Sequence, residues 1–213
     1  MTLDTNVRGV VAYRPVGHTL PSQESRIRLV QTALRLFATR GYYHTSIADI
    51  LRESGCKRGT LYHYFSSKED LGYAVIDEML RVLTTQGGGR HLRSNEHPID
   101  RLVKMVDELP GVVQLPAGGS LMAGVAARMA TVNEGFRRRV REGFEALIQE
   151  GEELLQQGVA DGHIVHSVDS GQLAHEFVIV CMGVQFAALL GLRDVICDDA
   201  RSRLKEYLNS LRR

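Results

Sequence analysis

From Ser22 onward, apolar residues recur at three- and four-residue steps, and no useful stretch alternates with the two-residue period of a strand. Such a chain can only pack helices on helices, so an all-α fold is expected. Ile27, Val30, Leu34 and Phe37 form one stripe, with Ser22 available as cap and Gly41 as stop. A second, short helix follows Thr45 or Ser46, carries Ile47, Ile50 and Leu51, and ends by Gly55. A third covers about Lys57 to Tyr64. Ser66-Ser67-Lys68-Glu69 reads as a capping box in which Glu69 reaches back, opening a longer helix with Leu71, Val75, Met79 and Val82 on one face.

Residues 87–96 read as a polar loop, and Pro98 suits the first turn of a helix ending at Leu109. Gly111 to Gly119 reads as a linker. Helices from about Ser120 to Ala130, Asn133 to Ala160, Asp169 to Leu192 and Asp198 to Leu211 bring the expected total to nine. The resulting division is a flexible N-terminal arm over 1–21, a three-helix head over 22–66, and a six-helix body over 67–213.

Charge separates head from body. Residues 1–66 hold nine Lys/Arg against four Asp/Glu, a net of +5, whereas residues 67–213 hold seventeen against twenty-one, a net of −4. A basic first third on an acidic remainder points to a head that meets a polyanion. Apolar residues at 44% and charged residues at 24% exclude wholesale disorder. Three scattered cysteines, Cys56, Cys181 and Cys197, give neither a disulfide framework nor a four-ligand zinc site, and fit a reducing cytoplasm. No apolar run reaches the ~18 residues of a membrane span; the nearest, Phe177 to Leu192, is interrupted by Gln185. No signal peptide is apparent.

Helix two, the turn at Gly55 and helix three make a helix-turn-helix. A third helix of two turns can enter the ~12 Å major groove while its predecessor crosses the backbone. Lys57 and Arg58 open it, Gly59 leaves room for close approach, and Thr60, Tyr62, His63 and Tyr64 bring hydrogen-bonding tips. Thr45 and Lys68, each beside a helix start, are candidates for phosphate contacts.

These residues carry a resemblance. Ala33-Leu34-Arg35-Leu36-Phe37, Gly41-Tyr42, Thr45 to Ile50 and Gly55 to Phe65, continuing through Ser66, Lys68, Glu69 and Leu71, resemble the TetR family of bacterial transcriptional regulators over roughly residues 26–75. The resemblance implies a homodimer on a palindromic operator in double-stranded DNA, with Thr45, Tyr62 and Lys68 on phosphates. By the same pattern Ser46, Arg58, Gly59, Thr60, His63 and Tyr64 face bases or nearby backbone. The family has a small hydroxyl residue where Lys57 stands as cap of the recognition helix, and lysine cannot accept the capping bond. That loss costs ~1 kcal/mol.

The body resembles the family more loosely, through Gly118 to Gly124 and Gly158 to Ile164, which implies an effector pocket and a dimer interface. Leu102, Met105, Leu121 and Met122 are pocket candidates, with Phe144, Leu147, Phe177 and Cys181. Few charges lie on those faces, so a small, largely apolar effector is expected. Gly183, Ala187 and Gly191 clear a flat stripe on the eighth helix, and Leu204 and Leu208 on the ninth complete the expected dimer face. Arg137-Arg138-Arg139 with Arg141 reads as a solvated face paired with acids such as Glu134 and Glu142. The expected function is a repressor released by its effector. The alternative is a regulator responding to thiol modification at Cys181 or to a protein partner. No phosphate-binding loop, catalytic triad, paired carboxylate or metal motif appears, so neither an enzyme, a cofactor nor a bound metal is expected.

Overall fold

A computed structural model describes residues 21–85, 88–109, 121–189, 192 and 197–213. The expected arm lies outside these residues except for Pro21, which starts the first helix; the linker from Gly111 to Gly119 lies outside them too. The helices are α1 (Pro21–Arg40), α2 (Ile47–Ser54), α3 (Arg58–Tyr64), α4 (Lys68–Thr85), α5 (Pro98–Glu108), α6 (Leu121–Ala130), α7 (Glu134–Ala160), α8 (Ser170–Leu189) and α9 (Asp198–Ser210).

Their ends follow local chemistry. Gly41, at φ +88°, turns the chain out of α1 while its N–H donates to the Phe37 carbonyl at 3.0 Å. Ser46 caps α2 in a capping box: its Oγ accepts from the Asp49 N–H, and the Asp49 carboxylate accepts from the Ser46 N–H. Gly55, at φ +68°, closes α2 and aims the chain into α3. At α4 the expected box sits one residue later. The Asp70 N–H donates to Ser67 Oγ at 3.0 Å, and the Asp70 carboxylate, not Glu69, reaches back to the Ser66 N–H at 2.9 Å. Glu69 instead accepts from Asn133 Nδ2 on the turn before α7. The loop expected over 87–96 contains a 3₁₀ turn, Gly88–Arg93, because Leu92 is buried in the body core and draws the segment inward.

Two apolar cores result. The first unites the head with the body's upper helices: Phe37, Ile50 and Leu61 pack with Val75 of α4, Met129 of α6 and Phe136 of α7. The second fills the body between α5, α7, α8 and α9, through residues such as Leu102, Leu155, Ile164 and Phe177. Phe144 touches both. The C-terminus is pinned by a two-residue bridge, Val165 N–H to the Leu211 carbonyl and Arg213 N–H to the His163 carbonyl. The seam between head and body is tight. A Cβ on Gly72 of α4 would lie 2.4 Å from the Phe136 ring, which sits edge-on to Tyr42 and Tyr73. Among the described residues no helix is long and apolar enough to cross a membrane.

Candidate nucleic-acid interface and effector cavity

The third helix owes its orientation to two side chains. Leu61 and Phe65 are buried against the head core, so the opposite side of the seven-residue rod must face outward. Arg58, Gly59, Tyr62 and His63 are exposed there, and Thr60 and Tyr64 are half-buried at the flanks. The Arg58 guanidinium lies over the Tyr62 ring, 5.6 Å from its centroid, and His63 sits edge-on to Tyr64. A Cβ on Gly59 would meet nothing within 4 Å, so packing inside the chain does not call for glycine at this point. Lys57 occupies the cap position in extended backbone with no side-chain capping bond.

Three other cations in the head are paired with acids. Glu53 takes both Arg35 and Arg40, and Asp49 takes Arg52. Hydrogen bonds from Ser46, with Arg52 alongside, hold the Asp49 carboxyl far below the usual carboxylate range. Lys57 and Arg58 enter no ion pair among the described residues, so uncompensated positive charge gathers at the start of α3. Arg26, missed in the sequence, brings positive charge to the other end of the helix: its exposed guanidinium lies 5.5 Å from the Phe65 ring at the far end of α3. The only hint was a basic start to α1, and its proximity to α3 is set by packing, not by local pattern.

Two of the expected phosphate contacts lie against the turn after α1. Thr45 is fully buried and its hydroxyl points inward, to the Gly41 carbonyl at 2.9 Å and the Leu36 carbonyl at 3.4 Å. Lys68 is half-buried; its Nζ donates to the Tyr42 carbonyl at 2.7 Å and lies 4.1 Å from the Tyr42 ring centroid. Burial pulls its pKa down. Both side chains brace the turn after α1. Ser46 is exposed, with its hydroxyl engaged in the α2 cap.

The body holds a cavity of about 500 Å³ between α5, α6, α7 and α8. Met105, Phe144, Leu147, Phe177 and Cys181 line it. Leu102 does not; it is buried one layer away in the body core, because its stripe on α5 faces α7 and α8. The side chains of Leu121 and Met122 lie outside the described residues. Sequence reasoning missed Val140, Met182, Gln185 and Phe186 as wall residues. No charged side chain is among the described lining residues. Burial pushes the Cys181 thiol up to about 12, so it stands in the wall as a neutral group.

Part of the cavity wall also faces outward. Ile179, Met182 and Phe186 of α8 are 66%, 44% and 58% exposed, and Tyr207 of α9 is 48% exposed. Within the expected dimer face, Gly183 is exposed and lines the cavity, while Ala187 and Leu204 are half-buried against the body core. Gly191 lies outside the described residues. Leu208 is corrected: it is fully buried in its own chain, because the apolar side of α9 closes the core over α5. The arginine run on α7 pairs with acids, Arg137 with Glu134, Arg138 with Glu142, Arg139 with Asp77 and Arg141 with Glu145. No cluster of residues able to hold a metal ion occurs among the described residues.

Comparison with known proteins decides the family. Residues 29–75 match the model for bacterial regulatory proteins of the tetR family, and residues 98–204 match the tetracyclin repressor-like C-terminal domain. The chain belongs to the TetR family. TetR-family proteins are DNA-binding transcriptional regulators. This chain is 30% identical over 101 residues to the regulator HbdR of Aromatoleum sp. (strain CIB), across 47% of this chain and 44% of that protein. It is 39% identical over 67 residues to the repressor KstR2 of Rhodococcus jostii (strain RHA1), across 32% of this chain and 31% of that protein. The chain thus spans under half the length of these curated relatives. A TetR transcriptional regulator from Chloroflexus aurantiacus J-10-FL superposes with a TM-score of 0.77 at 26% identity, covering 90% of this chain and 98% of that one.

Proposed function

We propose that this TetR-family regulator is a cytoplasmic homodimeric repressor whose two α3 helices enter successive major grooves of a palindromic operator, and that a small, largely apolar effector in the body cavity releases it. Half-sites one helical turn apart require recognition helices ~34 Å apart. Operator affinity then depends on how the two heads are held. The observation that carries the reading is a shared wall. Ala126 of α6 and Val140 of α7 line the cavity and also belong to the core that holds α1, α3 and α4. An occupant that displaces this wall acts directly on the seat of the head. It lowers operator affinity by its differential affinity for the two head arrangements, and by no more.

The exposed apolar stripe of Ile179, Met182 and Phe186, with Tyr207 beside it, supports the dimer: residues at these steps lie on one side of α8 and suit a helix-helix seam between two copies. In DNA recognition Ser46, Arg58, Gly59, Thr60, His63 and Tyr64 face bases or nearby backbone, Tyr62 meets a phosphate, and Lys57 and Arg26 supply charge. Thiol sensing at Cys181 loses support, since the buried thiol is neutral near pH 7. Selection of bound duplexes from a random pool tests the reading. A palindrome with half-sites about one turn apart is expected, and enrichment of single, unrepeated sites or of none would overturn it.

A further inference from the structure

The cavity has one polar feature that its hydrocarbon walls do not explain. Gln185 lines it from α8, is 8% exposed, and makes no hydrogen bond to any described residue. Its amide opens onto the cavity with two donors and an acceptor, and an occupant that seals these from water without pairing them meets a penalty. Around it stand Phe144, Leu147, Phe177, Met105 and the Cys181 thiol, all apolar or neutral. Among the described lining residues Gln185 is thus the one strong hydrogen-bonding side chain in an otherwise apolar wall.

We infer that the cavity takes a neutral molecule, mostly aromatic or alicyclic hydrocarbon, carrying one uncharged carbonyl, carboxamide or hydroxyl group that pairs with the Gln185 amide. This rests on the reading of the cavity as the effector site and narrows it to a chemical class. Carboxylates and phosphates are excluded from the buried end, because no lining side chain among the described residues supplies a countercharge and an anion there would be stripped of water. A plain hydrocarbon enters but leaves the amide unsatisfied. The volume of about 500 Å³ lies within the range of pockets that enclose drug-sized ligands.

Three matched probes test this on the full-length protein: biphenyl-4-carboxamide, biphenyl, and biphenyl-4-carboxylate, with binding followed by calorimetry and release of a selected duplex by fluorescence anisotropy. The carboxamide is expected to bind about tenfold tighter than biphenyl, the worth of one well-made buried hydrogen bond. The carboxylate is expected to bind roughly a hundredfold or more weaker than the carboxamide. In Gln185→Leu, the carboxamide and biphenyl should bind alike; the wild-type ranking tests the proposal even if that variant fails to fold. Carboxylate binding as tight as the carboxamide, a preference retained in Gln185→Leu, or no binding by any probe would overturn it. Binding in the expected order without release of DNA would leave the ligand class standing and overturn only the effector reading.

Discussion

Replacing Gly72 by alanine sets two physical effects against each other. Alanine in a helix interior is favoured over glycine by ~1 kcal/mol, so on propensity alone the variant gains stability. Packing opposes this. The new methyl would sit 2.4 Å from Phe136 Cζ and 3.1 Å from both Cε atoms, far inside the ~3.5–4.0 Å of ordinary carbon contact. The ring is fully buried and cannot swing aside, because Tyr73 stands edge-on at 4.8 Å and Tyr42 at 5.4 Å. Tyr42 in turn carries Lys68 and packs on Phe37. With so little room to yield, the overpacking cost belongs near the upper end of its ~1–3 kcal/mol range. The net is a destabilisation of about 2 kcal/mol, or roughly 4–8 °C in Tm for a chain of this size. Thermal and urea unfolding followed by circular dichroism measure it, and adding Phe136→Leu should recover part of the loss. A Gly72→Ala protein as stable as the parent, or more so, would refute the claim that this ring locks head to body.

Lys68→Met should lower stability by about 1–2 kcal/mol through loss of a charge-assisted bond to Tyr42, yet leave the salt slope of DNA binding unchanged; a slope smaller by about one with unchanged Tm would instead put Lys68 on a phosphate. Lys57→Ser should stabilise α3 by ~0.5–1 kcal/mol by supplying the missing cap, and should weaken operator binding at low salt, as a gel-shift series can read. The depressed carboxyls of Asp49, Glu53 and Asp100 contribute stability that is present above their ordinary values of 3.8 to 4.5 and is lost as pH falls through their folded-state values. The urea midpoint should therefore fall progressively as the pH drops below about 5, less so in Asp100→Asn, where a pH-insensitive difference would refute a role for the Asp100–Arg212 pair.

Local rules made the head legible. Gly41 and Gly55 mark real left-handed turns, Ser46 caps α2, and the spacing of Leu61 and Phe65 fixes which side of α3 faces out. What local rules could not give was the direction of side chains whose partners lie far along the chain. Thr45 turns inward because the end of α1 offers carbonyls from Leu36 and Gly41. Lys68 turns inward because Tyr42, 26 residues earlier, presents both a carbonyl and a ring face. In the body, the apolar stripe of α9 could have faced either its own core or a second copy, and only packing shows Leu208 inside and Tyr207 outside. Gln185 was visible as the one break in the run from Phe177 to Leu192, but its meaning came from the cavity beside it.

The most direct test compares binding of a selected duplex and its scrambled counterpart, by anisotropy at low ionic strength, for the parent and for Arg58→Ala with His63→Ala, both positions being exposed and outside the core. The double variant should keep its melting temperature, keep weak binding to both duplexes, and lose at least tenfold of its preference for the selected one. Undiminished discrimination in a folded double variant would mean that sequence is read by some other surface.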